Sequence, residues 1–279
     1  MNRTPIRIGL MGADGNMGMM IARLGYQEPA IEFTAAYTIG SSPNIGKTLG
    51  SLVGQGNIGP ILKDTEGMIA DLAKNLVDVV IDFTVAKATQ IYAPQLVKIG
   101  IPIVIGSTGL PDEFDGELKQ LCASHSCSIV KSSNMATGVN LFFKIAAEIA
   151  KKLSDWDIEI IEAHHHRKKD APSGTAIMVA QAIAEAVDVE LNNVAKYGRP
   201  KGPAARKIGK DEIGIHAIRA GDIVGDHTVL YAGPGERIEL VHRAHSRECF
   251  ANGALNAAKF LELYKNEGKI YTMQDVLGL

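Results

Sequence analysis

The feature that most restricts the fold is a glycine triplet set between a strand-like run and a helix-like run. Arg7 to Met11 (RIGLM) is a short apolar β-type segment. Gly12, Gly15 and Gly18 follow it, and Met17, Met20, Ile21 and Leu24 then recur at helical spacing within Asn16 to Gln27. A strand, a glycine turn and a helix in this order open a dinucleotide-binding βαβ unit. One glycine permits the tight turn, one lets backbone N–H groups approach a pyrophosphate, and one lets helix and strand pack closely. The helix N-terminus adds partial positive charge for the phosphates. The spacing is GxxGxxG rather than GxGxxG, so the motif takes its weight from the strand–helix frame, and a turn with packing duty alone is the competing reading.

The rest of the first half keeps the same rhythm. Strand-like runs at Ile31–Thr38, Val77–Phe83, Ile101–Ile105 and Ser128–Lys131 alternate with helical stretches at Met68–Leu76, Ala86–Ile99 and Asp112–His125. This alternation predicts a parallel sheet covered on both faces. Only Gly40 to Gly59 lacks a clear period. After Asn134 the pattern changes. A long helix, Gly138–Leu153, carries the stripe Leu141, Ile145, Ile149 and Leu153, and a strand, Asp157–Ala163, precedes a further helix ending near Val187. A polar loop (Tyr197–Lys210) and the strands Gly214–Arg219, His227–Tyr231 and Ile238–His242 come next. Consecutive strands without helices predict antiparallel pairing in a second, α+β domain. The expected class is therefore α/β: a Rossmann-like parallel-sheet nucleotide domain plus an α+β substrate domain. The expected boundaries are 1–134 with 246–279, whose helix Phe250–Tyr264 packs back on the first domain, and 135–245.

Composition removes other classes. The 279 residues are 46% hydrophobic with a net charge of −2, so no basic excess points to nucleic acid or an anionic membrane. No apolar run approaches the roughly 20 residues that span a bilayer. The start, MNRTPIRIGLMG, leads directly into a strand pattern with no room for a signal peptide. Three cysteines (122, 127 and 249) form neither a CxxC nor a paired framework, which predicts a cytoplasmic protein.

Two apparent motifs fail on context. Gly54–Gly59 matches GxGxxG by letter, but Pro60 follows it and no strand–helix frame surrounds it. Gly46-Lys47-Thr48 resembles the end of a Walker A loop, but Gly40 is one residue too far upstream. About 20 residues beyond the third glycine, where an NAD-specific fold carries an acid for the ribose, stand Tyr37 and Thr38. With no carboxylate at that end of the strand, weak discrimination between NADH and NADPH is expected, any bias favouring NADPH through Ser41, Ser42 or Lys47.

The run Glu162 to Asp170 (EAHHHRKKD) concentrates three of the eight histidines. Alternation along a strand sends His164 and His165 to opposite faces, so a zinc site is not expected. The adjoining Pro172-Ser173 reads as a helix start, where the N–H groups of Gly174 and Thr175 and the Thr175 hydroxyl suit a carboxylate or phosphate. A basic turn beside a helix N-terminus fits a small polyanion, with His164 or Lys168 as general acid. A solvated turn with Ser173 as an ordinary N-cap is the plainer reading.

At this point the chain resembles the 4-hydroxy-tetrahydrodipicolinate reductase (dihydrodipicolinate reductase) family over nearly its whole length. The resemblance rests on the glycine loop, on Ile81-Asp82-Phe83-Thr84, on Ile105 to Gly109, and on Asn134 with Gly138-Val139-Asn140. It rests above all on Glu162 to Ala176 (EAHHHRKKDAPSGTA), with Arg219 to Gly225 and Phe250 to Ala254 in support. The resemblance implies NADPH- or NADH-dependent reduction of a small cyclic imine dicarboxylate with loss of water. It implies cofactor contacts from Gly12, Ala13, Asp14, Gly15, Asn16 and Met17, from Thr38, from Gly106, Ser107 and Thr108, and from Ser132, Ser133, Asn134 and Met135. It implies His164 and Lys168 as proton donors, substrate contacts from His165, Gly174 and Thr175, and a homotetramer formed through the second domain. Thr38 stands where many family members carry an acidic residue and Ile39 where some carry arginine, and Ser107 replaces a commoner threonine. Two other classes remain in view: a dinucleotide-binding sensor without turnover, which has no need of the His164, Lys168, Gly174 and Thr175 set, and another two-domain reductase such as a semialdehyde dehydrogenase. The latter needs a nucleophilic cysteine, and the second half offers only Cys249, which is expected to be buried.

Overall fold

The computed structural model describes residues 4–74 and 76–279. Residues 1–3, where the expectation about a signal peptide begins, and residue 75, inside the expected Met68–Leu76 helix, lie outside them. The chain divides into two compact units, residues 1–137 with 248–279 and residues 138–247.

The first unit runs β1 (Ile6–Met11), α1 (Asn16–Gly25), β2 (Ile31–Thr38), α2 (Leu49–Leu52), β3 (Leu62–Asp64), α3 (Met68–Leu72), β4 (Val79–Asp82), α4 (Ala86–Lys98), β5 (Ile103–Ile105), α5 (Asp112–His125) and β6 (Ile129–Lys131). Its sheet is parallel throughout, in the order β3-β2-β1-β4-β5-β6. The strand order reverses between β1 and β4, and ligands of such sheets bind outside the carboxyl ends of the strands at that switch point. Strands β4 and β5 are buried along their whole length, which is why they read as continuous apolar runs. Each buried Ile or Val there contributes roughly 1.5–3 kcal/mol.

Beyond the second unit, α9 (Glu248–Tyr264), β12 (Ile270–Tyr271) and α10 (Met273–Leu277) complete the first. Ala251, Ala254, Leu255, Ala258 and Leu261 of α9 pack with Ile8, Leu10, Ile81 and Val104 of the sheet. Strand β12 extends the sheet beyond β6, and two residues carry too little pattern to reveal it in sequence. The glycine-rich stretch holds α2, and the expected 68–76 helix ends at Leu72.

The second unit contains most of α6 (Thr137–Lys152), then β7 (Asp157–His164), α7 (Gly174–Ala186), α8 (Leu191–Val194), β8 (Ala195–Tyr197), β9 (Ile213–Arg219), β10 (Asp226–Gly233) and β11 (Glu236–Arg243). The sheet order is β11-β10-β7-β9-β8. Strand β10 is antiparallel to β7 and β11, but β9 runs parallel to both β7 and β8, so the sheet is mixed rather than antiparallel. The α7–α8 connection carries the chain back across the sheet, and a helical crossover gives parallel neighbours. The stripe expected to bury α6 also points the other way. Val139, Phe142, Phe143, Ala146 and Ala150 are buried, whereas Leu141 and Ile145 are 41% and 37% exposed. Two phenyl rings remove more apolar area from water than two aliphatic chains, and they decide which face turns inward.

Candidate active site

In the first unit the three loop glycines have separate physical duties. Gly12 sits at φ +73°, a left-handed turn that L side chains rarely adopt. A Cβ on Gly18 would overlap the Gly12 carbonyl and lie 2.8 Å from Ala13 Cα, so Gly18 seats α1 against the turn. A Cβ on Gly15 would meet only the Gly12 carbonyl, at 3.2 Å. Gly15 is the N-cap of α1 and forms no side-chain cap, which leaves the first helical N–H groups, including those of Asn16 and Met17, without one. Bare N–H groups beside an exposed glycine at a helix N-terminus fit a pyrophosphate.

The strand ends beyond the switch point are organised by Asp82. Its fully buried carboxylate accepts from the Thr84 N–H (2.9 Å), the Thr84 hydroxyl (2.6 Å) and the Thr89 hydroxyl (2.6 Å), and Thr89 also lies 2.7 Å from the Ser107 hydroxyl. Burial raises the Asp82 pKa against the opposing pull of these bonds. Ser107 is thus a buried member of this cluster, whereas Thr108 is exposed. A Cβ on Gly106 would overlap the Phe83 ring, so glycine lets that ring lie across the end of β5. Ser132 and Asn134 close a local turn: the Ser132 hydroxyl donates to the Asn134 carbonyl (2.8 Å), and Asn134 Oδ1 accepts from the Ala136 N–H (3.0 Å). Ser133 is exposed, and the carbonyl of buried Met135 lies where a Cβ on Gly253 would be.

In the second unit β7 places Glu162 and His164 two residues apart on its helix-covered face. Glu162 is fully buried and accepts four hydrogen bonds: from His164 Nδ1 (2.6 Å), from both terminal nitrogens of Arg219 (2.7 and 2.8 Å) and from the Ser173 N–H (2.9 Å). Burial pushes its carboxyl pKa up, but the bonds from Arg219, His164 and Ser173 outweigh that and hold it below the usual carboxylate range. An ionised carboxylate only accepts, so His164 carries its proton on Nδ1 and offers Nε2 for proton transfer. Glycine at 225 keeps that atom clear, since a Cβ there would approach Nε2 to 3.1 Å.

The basic turn is anchored from β9 onward. The His164 carbonyl accepts from the Ala220 N–H (2.9 Å), the Gly221 carbonyl accepts from the His166 N–H (3.2 Å), and Arg167 pairs with Asp222 (3.1 Å). Lys168 Nζ pairs with Asp170 (2.9 Å). His165 follows the end of β7, and its Nδ1 has no hydrogen-bond partner among the described residues. Ser173 caps α7 through the Ala176 N–H (3.1 Å) and also lies 3.1 Å from His227 Nε2. Burial, with His164 and His242 nearby, lowers the His227 pKa to about 3 and keeps it neutral. A Cβ on Gly174 would meet nothing within 4 Å, so glycine there leaves open approach to the α7 N-terminus rather than serving packing.

The structure therefore gathers His164, His165, Lys168, Gly174 and Thr175 in the second unit. Gly12 to Met17, Thr38, Gly106 to Thr108 and Ser132 to Met135 lie at the strand ends and following loops of the first. Sequence reasoning gave no role to Glu162, Arg219 or His227, although the two-residue spacing of Glu162 and His164 on one strand was a usable signal for the first. Cys249 was expected to be buried and is only half-buried, because it sits at the exposed start of α9. Its thiol pKa is raised by burial, the opposite of an activated nucleophile. Among the described residues no helix is long and apolar enough to cross a membrane.

Comparisons with known proteins agree with one another. The N-terminal model of dihydrodipicolinate reductase matches residues 6–135, and the C-terminal model matches residues 138–277. The chain is 42% identical to the 4-hydroxy-tetrahydrodipicolinate reductase of Methanothermobacter thermautotrophicus, over 98% of this chain and 99% of that protein. It is 45% identical to that of Methanococcoides burtonii, over 98% and 99%. A dipicolinate-bound dihydrodipicolinate reductase from Paenisporosarcina sp. TG-14 superposes with a TM-score of 0.76 at 25% identity, covering 98% of this chain and 99% of that one. An aspartate semialdehyde dehydrogenase from Vibrio cholerae shares only the fold, with a TM-score of 0.56 at 10% identity. By both halves and nearly full length, the chain belongs to the dihydrodipicolinate reductase family.

Proposed function

We propose that this enzyme reduces 4-hydroxy-tetrahydrodipicolinate to tetrahydrodipicolinate in the diaminopimelate route to lysine, with NADPH or NADH as reductant. In the balanced reaction one hydride and one proton enter the ring and one water leaves. The bound nicotinamide supplies the hydride. The first unit holds the dinucleotide: Gly12 to Met17 line it, with the bare N–H groups at the α1 N-terminus towards the pyrophosphate, and Thr38, Gly106 to Thr108 and Ser132 to Met135 line the remainder. The second unit holds the substrate: His165, Gly174 and Thr175 bind its carboxylates, helped by the positive end of α7. His164 delivers the balancing proton from Nε2, and the Lys168 ammonium is the second donor.

The observation that carries this reading is the buried Glu162 carboxylate on His164 Nδ1, which fixes the ring's tautomer and orientation so that Nε2 faces the open side. A sensor without turnover has no use for that arrangement. The outward face of the second sheet supports a homotetramer, since Ile218 and Val241 stand 47% and 42% exposed on it. Three cysteines without a CxxC or paired framework suit a cytoplasmic enzyme.

The test is NAD(P)H oxidation with substrate generated in situ by the preceding synthase. His164→Gln and Lys168→Ala should each lower kcat by about 10²-fold or more while NADH still binds. Near-normal kcat in either variant removes that residue from proton donation.

A further inference from the structure

The end of β2 is where a fold of this kind distinguishes the two nicotinamide cofactors, because the adenosine ribose lies there. Strand β2 itself ends on Thr38, which is 3% exposed and turns its hydroxyl to Asp14 Oδ1. The Ser42 hydroxyl donates to Asp14 Oδ2, and Asn44 Nδ2 donates to the same oxygen at 3.2 Å. Three donors from β2 and the loop after it therefore pin a carboxylate of the glycine loop against the strand end. Among the described residues neither Lys nor Arg pairs with Asp14, and the nearby Lys47 ammonium goes to Asn44 Oδ1 at 2.8 Å. A second carboxylate stands at the same edge. Asp64 ends β3 in register with Thr38, and a Cβ on Gly40 would overlap its side chain.

We propose that Asp14 does the work of the acid missing from β2, so that the protein selects NADH over NADPH. Thr38, Ser42, Asn44 and the Asp14 backbone N–H fix this half-buried carboxylate as a negative charge at the strand end, where a ribose hydroxyl can share one of its oxygens. A 2′-phosphate would bring close to two negative charges towards Asp14 with Asp64 behind it. Of the three groups that sequence reasoning assigned to a 2′-phosphate, Ser42 and Lys47 are engaged by Asp14 and Asn44, and Ser41 brings a neutral hydroxyl with no charge to offset a phosphate. The proposal rests on the dinucleotide reading of the first unit, and binding experiments separate the two.

Fluorescence titration of the full chain gives Kd for NADH and NADPH without turnover. The wild type should bind NADH at least tenfold more tightly. Asp14→Asn keeps the shape and removes the charge, and should shrink that ratio at least fivefold, chiefly by tightening NADPH. A smaller wild-type preference, or a smaller shift in a variant with wild-type Tm, overturns the proposal. Should Asp14→Asn disturb the loop, competition on the wild type decides: 5′-ADP must displace NADH at lower concentration than 2′,5′-ADP, and the reverse order or equality overturns it. If neither dinucleotide binds the wild type, the cofactor reading fails and the proposal falls with it.

Discussion

Replacing Glu162 with glutamine probes the site at its most buried point. All four groups around Glu162 are donors: His164 Nδ1, two nitrogens of Arg219 and the Ser173 N–H. The new NH2 must therefore face two of them in either orientation. Against Oε1 it opposes Arg219 and a backbone N–H that cannot turn away. Against Oε2 it opposes Arg219 and His164, and His164 escapes by moving its proton to Nε2. That escape breaks the Nδ1–H bond that orients the ring and replaces the buried carboxylate beside it with a neutral amide. Losing one charge-assisted hydrogen bond costs about 1.5–3 kcal/mol, or about 10- to 150-fold in kcat. KM should change less than kcat, and NADH affinity should stay within about twofold, because the glycine loop belongs to the other unit. Steady-state kinetics with in situ substrate give the first pair of numbers and fluorescence titration the third. The stability arm has a defined sign. The Glu162 carboxyl is held below its ordinary range, so its contribution is complete above the unfolded value of about 4.3 and vanishes as pH falls through the folded value. Wild type should exceed Glu162→Gln by about 1–3 kcal/mol at neutral pH and converge with it in acid. A variant with wild-type Tm and kcat within about threefold would refute the reasoning.

Gly15→Val should raise the dinucleotide Kd at least about tenfold with little change in Tm, because its side chain meets only the Gly12 carbonyl yet covers the α1 N-terminus; wild-type affinity would make the loop a packing turn. Gly18→Ala should instead lower Tm, since its Cβ overlaps backbone, and an unchanged melting curve would contradict the close contact between α1 and the turn. His227 titrates near 6.5 when unfolded and at about 3 when folded, so its contribution is complete above pH 6.5 and lost as pH falls towards 3. That amounts to about 2 kcal/mol between pH 6.5 and 5. Urea unfolding at pH 5 and pH 7 should show this slope in wild type and not in His227→Gln; equal slopes would place the titrating group elsewhere.

The longer elements of the first unit were legible because buried strands alternate with helices, each in its own period, whereas α2, β3 and β12 are too short to carry one. The second unit was less legible for a physical reason. Residue patterns report burial, and the direction of β9 depends on the path taken through α7 and α8, which burial does not encode. On α6 two apolar stripes compete, and only the size of Phe142 and Phe143 decides between them. The same limit applies to the site. His164, Lys168 and Gly174 stand out as unusual residues in an unusual run, but Arg219 lies 57 positions from Glu162 and reaches it only because β9 pairs with β7. Asp14 was visible as a loop residue, whereas its engagement with Thr38 and Ser42 is a tertiary contact that no spacing predicts.

Several motif residues of the second half have no assigned part in the proposed reaction, and their hydrogen bonds show what they support. Arg219 neutralises Glu162 and, through the Asp170 carbonyl at 2.7 Å, ties down the far end of the basic turn. Ala220, Gly221 and Asp222 hold the near end through His164, His166 and Arg167. Gly225 then keeps the space over Nε2 open. The segment from 219 to 225 thus fixes the histidine's tautomer, position and access together, and a reactive group held this way does not have to reorganise at the moment of reaction. A buried carboxylate is costly to maintain, and here the cost is met by an arginine and a helix cap that the fold already brings to β7. The site's precision therefore resides less in the histidine-rich run than in the strand pairing that delivers Arg219 to Glu162.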